Sequence, residues 1–162
     1  MNLHLQKSSI CNRQSAISIT GSKSESNRLL LLQALYPALE IENLSNSDDS
    51  IVMQKALSAT TKEIDIHHAG TAMRFLTAFF ATQKSREVTL TGSSRMQERP
   101  IKILVDALQQ LGAKINYMKA QGFPPIQIIG QSLSQNKVSL KANVSSQYIS
   151  ALLLIAPKLK NG

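Results

Sequence analysis

Apolar residues recur along the chain with two spacings, one typical of strands and one typical of helices. Short extended apolar runs predict strands, and longer stretches with apolar residues three and four positions apart predict helices. The strands are predicted at residues 16–20, 39–43, 63–66, 88–91, 114–117, 126–129 and 138–141. The helices are predicted at residues 24–35, 48–57, 71–82, 100–111 and 145–156.

The order of these elements indicates the fold class. Strand and helix alternate, and neighbouring strands follow, which favours an α/β or α+β domain with helices packed on mixed sheets. The chain has 162 residues, 43% of them hydrophobic, which is enough for a sizeable core. No linker rich in glycine, proline or serine divides it.

The charge balance indicates an anionic partner. Lysine and arginine number 18 against 10 acidic residues, which gives a net charge of +8. That excess does not choose among nucleic acid, a membrane surface and small phosphorylated ligands. Aromatic residues are only 4% of the chain and tryptophan is absent, fewer rings than base-stacking proteins usually carry. Many of the lysines are predicted to form an ordinary solvated surface.

Cysteine and histidine usage excludes two kinds of site. Cys11 is the single cysteine, so neither an internal disulfide nor a cysteine-based metal cluster is expected. His67 and His68 are adjacent, which is not the spacing of a metal-binding pair, and no metal or cofactor is expected. The composition fits a reducing cytoplasm, and residues 1–13 lack the apolar run of a secretory signal. The longest apolar runs are also too short to span a membrane.

Three predicted helices begin with small or hydroxyl residues, in segments 21–28, 67–74 and 143–147. A helix N-terminus offers unpaired N–H groups and a partial positive charge, so it binds anions. In the first segment Ser24 and Arg28 share one helix face, and Lys23 and Asn27 share the next. Each start taken alone also fits an ordinary capped helix with solvated charges. Three such starts on one chain favour anion binding.

The segment between the strand at 88–91 and the next helix carries two arginines, Arg95 and Arg99, and one carboxylate, Glu98. It is predicted to be a turn. One interpretation is an ordinary loop in which Arg99 pairs with Glu98 or with water. The other interpretation is a positively charged lip over the anion sites.

The chain carries four sequence motifs, GSKSESNR, AGTAMR, RMQERPI and SSQYISALL. In this order and spacing they resemble the 5-enolpyruvylshikimate-3-phosphate synthase family. The resemblance extends from about Gly21 to Pro157. It implies two similar domains, each of three βαβαββ units, with helix N-termini facing the cleft between the domains. Residues 1–20 would then be a strand segment of the other domain, and residues 21–162 most of the first complete domain with an incomplete third unit.

The resemblance also implies a reaction and its residues. The family transfers the enolpyruvyl group of phosphoenolpyruvate to the 5-hydroxyl of shikimate 3-phosphate and releases phosphate, without metal or cofactor, in aromatic amino-acid biosynthesis. The substrate-binding positions implied are Lys23 for both substrates, Ser24, Arg28, Ser145 and Ser146 for shikimate 3-phosphate, Gly70 and Arg95 for phosphoenolpyruvate, and Gln147 between them, with His68 and Arg74 as further candidates. Two positions depart from the family pattern: His68 replaces the usual asparagine and Phe75 the usual proline.

The family's acid/base aspartate and glutamate belong to its second half, so the chain by itself is expected to be inactive and to need that half as its partner. The full-length protein is expected to be a cytoplasmic monomer that binds neither nucleic acid nor membrane. A UDP-N-acetylglucosamine enolpyruvyl transferase is the nearest alternative, although its loop cysteine is absent from residues 92–100. The alternative from another class is a basic module for nucleic acid, which would spread its lysines over one face.

Overall fold

The computed structural model describes residues 18–140 and 145–160, which form helices packed against one mixed sheet. The helices are α1 (Lys23–Leu35), α2 (Asp48–Ser58), α3 (Gly70–Thr82), α4 (Ser94–Gln97), α5 (Lys102–Gln110) and α6 (Ser146–Ile155), which a 3-10 turn (Ala156–Lys158) follows. The strands are β1 (Glu63–Asp65), β2 (Glu87–Thr91), β3 (Lys114–Tyr117) and β4 (Ile126–Ile129).

The four strands form one sheet in the order β1-β2-β4-β3. Strands β1 and β2 are parallel, and α3 connects them, whereas β4 is antiparallel to both of its neighbours. The run from β1 to β4 is therefore one complete βαβαββ unit, which confirms the predicted mixed α/β class. Asp65 lies opposite Thr91, so β1 and β2 end at the same edge of the sheet.

Helix α3 is the centre of the core. It is mostly apolar and buried on every face, since its residues 72–81 are all buried. It packs against α1, α2, α5 and α6 as well as against β2 and β4. Phe79 and Phe80 add an edge-to-face ring pair with centroids 5.3 Å apart. Because α3 is held on all sides, the position of its N-terminus is fixed by the packing of the whole domain.

The predicted helices are all present, and four of the seven predicted strands occur within one residue of their expected bounds. The segment 39–43 is not a strand, because Asn43 adopts a left-handed backbone with φ of 52° and none of the four strands among residues 18–140 and 145–160 pairs with it. Residues 138–140 are not a strand either, because the Ser139 N–H donates to the Gln110 side chain of α5 at 3.2 Å. Residues 18–20 also do not form a β-strand. Residues 16, 17 and 141 lie outside the described ranges.

The segment expected to be a turn after β2 contains the short helix α4. The Ser93 hydroxyl accepts from the Met96 N–H at 3.3 Å, which makes Ser93 its N-cap. Helix α5 then begins at Lys102 rather than at Pro100. Across residues 18–140 and 145–160, every helix is either too short or too polar to cross a bilayer.

Tyr117, the last residue of β3, has a buried hydroxyl with no hydrogen-bond partner among the described residues. Burial, with Asp106 nearby, raises the pKa of Tyr117 from 10.0 to about 12. Between these two values the folded chain keeps a proton that the unfolded chain releases. The free energy of unfolding therefore falls as pH rises through this window.

Tyr117→Phe is expected to remove that part of the alkaline instability. At pH 7 the variant should be as stable as the parent or more so, because no hydrogen bond is lost. Between pH 10 and 12 its free energy of unfolding should fall less steeply than that of the parent. Urea unfolding at pH 7, 10 and 11.5 measures both effects, and identical slopes for the two chains would contradict the expectation.

Candidate anion-binding site

Helix α1 presents three polar side chains at its start. Its N-cap is Ser22, whose hydroxyl accepts from the Glu25 N–H at 3.5 Å. Lys23, Ser24 and Arg28 follow, and all three are exposed. The buried leucines of the next turn anchor the helix in the core, so the direction of its first turn is set by packing. Two cations and a hydroxyl thus face solvent at a helix N-terminus, where anions bind favourably.

Beneath this first turn lies a buried polar network. Asn27, expected beside Lys23 on the surface, is fully buried, because its Oδ1 accepts from the Ser50 hydroxyl at 3.0 Å. The Ser26 hydroxyl accepts from the Ser45 N–H at 2.9 Å. Ser50 in turn lies 3.1 Å from the hydroxyl of Ser47. These bonds attach the start of α2 to the start of α1.

The attachment brings an acidic residue next to Lys23. Asp49, in the first turn of α2, lies 3.7 Å from the Lys23 ammonium, and its side chain is only 16% exposed. Lys23 remains 53% exposed, so the pair is a surface ion pair of small stabilising value. Its consequence is positional, because it keeps Lys23 directed along the start of α2.

Helix α3 begins immediately beyond the sheet edge. The loop from β1 turns at His67, whose backbone has φ of 50° and whose N–H donates to Asp65 Oδ1 at 2.7 Å. The His67 carbonyl accepts from the Ser93 N–H at 2.9 Å, which attaches this loop to the end of β2. Ala69 caps α3 without a side-chain bond, so the first N–H groups of the helix are not satisfied by a capping side chain.

Arg99 lies directly over this helix start. A Cβ atom at Gly70 would overlap the Arg99 Nη1 atom, so glycine is required for the guanidinium to approach the backbone. Glu98 does not pair with Arg99 among the ion pairs of residues 18–140 and 145–160. Of the two interpretations of this segment, the geometry favours the charged lip. The family resemblance implied that Arg95 contacts the phosphate. It did not indicate that Arg99 lies against Gly70.

Arg95 lies farther out, on α4. It is exposed and lines an open cleft of about 830 Å³ together with His68, Ser93, Met96, Glu98 and Arg99. His68 is exposed there too. Phe75, by contrast, is 2% exposed and packs in the core behind the helix start. Of the two departures from the family pattern, only His68 therefore faces this cleft.

Helix α6 begins beside α3. The Ser145 hydroxyl accepts from the Gln147 N–H at 3.3 Å, and both Ser145 and Ser146 are exposed. The Gln147 side chain donates from Nε2 to the Thr71 hydroxyl at 3.3 Å. This bond joins the starts of α3 and α6, two of the three expected to form one site.

The start of α1 is linked to the other two through α2. Asp48 and Asp49 line a cavity of about 260 Å³ together with His67, His68 and Ala69 from the loop before α3. Lys23 contacts Asp49 at the same place. The first turn of α1 therefore contacts α2, α2 shares this cavity with the loop before α3, and α3 is bonded to α6. Such an arrangement suits a ligand with more than one negative group.

Arg74 is the one buried cation near this surface in the described ranges. It is 7% exposed, and its Nη1 donates to the Gly70 carbonyl at 2.7 Å. Burial lowers the pKa of the Arg74 guanidinium, the nearby Tyr148 opposes that change, and Arg99 lowers the pKa further. Arg74 lies behind the helix start, so it does not present its charge to the cleft as Arg95 and Arg99 do.

A family model described as EPSP synthase (3-phosphoshikimate 1-carboxyvinyltransferase) matches residues 51–162. The chain belongs to the EPSP synthase family. The family expected from the four motifs is thereby confirmed. The described residues also hold no group of three histidine, cysteine or acidic side chains that could bind a metal ion.

Relatives in the EPSP synthase family share much of this sequence. The 3-phosphoshikimate 1-carboxyvinyltransferase of Bacteroides fragilis is 52% identical over 150 residues, which cover 92% of this chain and 36% of the relative. The enzyme of the same name from Actinobacillus pleuropneumoniae is 40% identical, with 87% and 39% covered. A pentafunctional AROM polypeptide of Lodderomyces elongisporus is 42% identical. The chain thus spans little more than a third of the length of the bacterial relatives.

A solved structure supports the fold. EPSP synthase from Acinetobacter baumannii superposes with a TM-score of 0.70 over 85% of this chain and 37% of that one. Sequence identity in that comparison is 21%, so it speaks for the EPSP synthase fold alone.

Asn27→Ala is expected to loosen the start of α1. It removes a buried acceptor of the Ser50 hydroxyl, so the free energy of unfolding should fall by about 1–3 kcal/mol. Asn116→Ala is the matched control, because the Asn116 side chain is exposed and donates to the Gln127 side chain at 3.3 Å on the protein surface. Urea unfolding of the three chains measures the difference. Equal stability of both variants would show that the buried network does not hold α1 to α2.

Proposed function

We propose that the protein containing this chain transfers the enolpyruvyl group of phosphoenolpyruvate to the 5-hydroxyl of shikimate 3-phosphate and releases phosphate. The observation that carries the proposal is the proximity of three helix starts rich in small or hydroxyl residues, beside exposed Lys23, Arg28 and Arg99. Membership of the EPSP synthase family and the 52% identical Bacteroides relative support it.

The chemistry of the reaction fits this surface. Both proposed substrates are polyanions, so they repel one another unless cations and helix N-termini offset their charge. The enzyme must also align the 5-hydroxyl with the carbon to which it adds before phosphate leaves. Preorganised donors and cations lower the free energy of such charged intermediates more than water does.

The shikimate 3-phosphate end of the site is proposed at the starts of α1 and α6. Ser24 and Arg28 would hold the cyclohexene ring of shikimate 3-phosphate and its phosphate from one side. Ser145 and Ser146 would donate hydroxyl hydrogen bonds to the phosphate from the other side. Lys23 would lie between the two substrates, where its mobile ammonium group contributes a point charge.

The phosphoenolpyruvate end is proposed at the start of α3. The N–H groups that follow Gly70 would donate to the phosphate, and Arg99 would cover it from above. Arg95 and His68 would contribute from the open cleft. Gln147 would lie between the ligands, because it belongs to α6 but already bonds to Thr71 of α3.

The proposed full-length protein has the two-domain architecture of the family. We assign residues 21–162 to one domain and residues 1–20 to the other, and the acid/base aspartate and glutamate to the part of the family's length that this chain does not span. We also propose that the full-length protein is a cytoplasmic monomer that uses neither a metal nor an organic cofactor.

Arg28→Ala is expected to weaken shikimate 3-phosphate binding by the chain. Loss of a charge-assisted phosphate contact is worth about 1.5–3 kcal/mol, a tenfold to hundredfold change in Kd. Lys114→Ala removes the same charge from an exposed position. Lys114 lies opposite Ile129, at the end of the sheet remote from Asp65 and Thr91, so it should change Kd little. Titration calorimetry at fixed salt measures both variants.

Equal losses from Arg28→Ala and Lys114→Ala would argue against a built site. They would indicate diffuse electrostatic attraction, which is the behaviour of a basic nucleic-acid-binding module. A strong dependence of affinity on salt would accompany that outcome.

Residues 1–162 by themselves are expected to show no turnover. Phosphate release from phosphoenolpyruvate plus shikimate 3-phosphate should match the rate without protein, because the proposed proton-transfer residues lie outside this chain. A colorimetric phosphate assay with the purified chain measures this rate. Release that depends on both substrates and rises with protein concentration would show that this chain holds a complete active site.

A further inference from the structure

Tyr148, in the first turn of α6, is buried, and its side chain contacts Pro100 and Arg74, both outside α6. Its hydroxyl donates to the Pro100 carbonyl at 2.8 Å. Pro100 follows Arg99 directly, in the segment between α4 and α5. The bond therefore attaches α6 to the backbone that carries the Arg99 side chain.

The ring of Tyr148 makes a second contact on its face. The Arg74 guanidinium carbon lies 5.4 Å from the ring centroid, a cation–π distance. Arg74 in turn donates to the Gly70 carbonyl at 2.7 Å. Gly70 thus contacts Arg74, Arg74 contacts Tyr148, and Tyr148 is bonded to Pro100. The neighbouring Arg99 guanidinium lies against Gly70, which closes this ring of contacts.

Charge repulsion opposes the placement of Arg99 beside Arg74. A Cβ atom built at Gly70 would lie 3.0 Å from Arg74 Nη1 and would overlap Arg99 Nη1, so the two guanidinium groups are neighbours. Among the described residues, no carboxylate forms an ion pair with either of them. Two like charges beside a helix N-terminus repel one another, and the exposed Arg99 is the one free to move into water.

We infer that Tyr148 is a positioning residue, which acts with Arg74 to hold the Arg99–Pro100 backbone so that the Arg99 guanidinium stays over the start of α3. The inference rests on the proposed function for the identity of the anion, but the positioning itself is a property of the unliganded chain. The Arg99 N–H bond to the Met96 carbonyl at 3.0 Å and the buried Ile101 side chain hold the same segment from its other sides. Those contacts should keep α5 folded when the Tyr148 hydroxyl is removed, whereas the Arg99 side chain, which loses the fixed Pro100 carbonyl next to it, should move away from the start of α3.

The decisive variant is Tyr148→Phe, which keeps the ring under Arg74 and removes only the hydroxyl. Tyr117→Phe is the matched control, since its buried hydroxyl has no partner among residues 18–140 and 145–160 and belongs to β3. Nuclear Overhauser effects between the Gly70 α-protons and the Arg99 side chain report the position of Arg99 without ligand. They should be present in the parent and in Tyr117→Phe and absent in Tyr148→Phe.

Binding of inorganic phosphate gives the second measurement, as a double-mutant cycle with Arg99→Ala. Tyr148→Phe should weaken phosphate binding about two- to tenfold in the parent background, which corresponds to the loss of one hydrogen bond. In the Arg99→Ala background the same change should have no further effect, because Tyr148 acts through Arg99. A similar melting temperature for all variants shows that each one folds.

Either of two results overturns the inference. One is an Arg99–Gly70 contact that persists in Tyr148→Phe or is missing from the parent. The other is an equal loss of phosphate affinity from Tyr148→Phe in both backgrounds. A chain that shows the expected cycle with inorganic phosphate but does not bind shikimate 3-phosphate would instead overturn the proposed function and leave the positioning role of Tyr148 in place.

Discussion

The parallel pairing of β1 with β2 determines where the candidate site lies. Parallel strands end at the same edge of a sheet, and the register of Asp65 with Thr91 places both ends together. Helix α3 starts just beyond the end of β1, and the segment with Arg95 and Arg99 follows the end of β2. Two segments far apart in sequence therefore meet at one helix N-terminus. An antiparallel pairing of β1 with β2 would have put the arginines at the opposite end of α3.

The burial of α3 turns that meeting into a rigid surface. Because α1, α2, α5 and α6 all pack on this helix, their ends have little freedom relative to its own. The hydrogen bond from Gln147 to Thr71 then joins the starts of α6 and α3, and the ion pair with Asp49 directs Lys23 along the start of α2. Several cations repel one another, and the packing of the helices holds them together before a ligand binds. Anion binding then needs less free energy for ordering these side chains.

Local sequence pattern was sufficient for most elements and insufficient for their contacts. Strands 114–117 and 126–129 and the apolar helix α3 have strong periodicity or composition, so they were predictable. The prediction of strands at 39–43 and 138–140 was wrong, because an extended sequence pattern does not show whether a neighbouring strand is available for pairing. The expectation that Asn27 lies beside Lys23 was wrong. Helical spacing shows which residues share a face, but it does not show which face the core covers. Arg99 over Gly70 required the parallel pairing, which no local pattern contains.

The central claim is that the starts of α1, α3 and α6 form one anion-binding surface. Amide chemical-shift mapping of the isotopically labelled chain with shikimate 3-phosphate tests it most directly. We predict saturable shifts concentrated at residues 23–28, 70–71 and 145–147, with residues 114–117 of β3 unaffected. Shifts distributed among the exposed lysines, such as Lys114, Lys137 and Lys158, and absent from the three helix starts would contradict it.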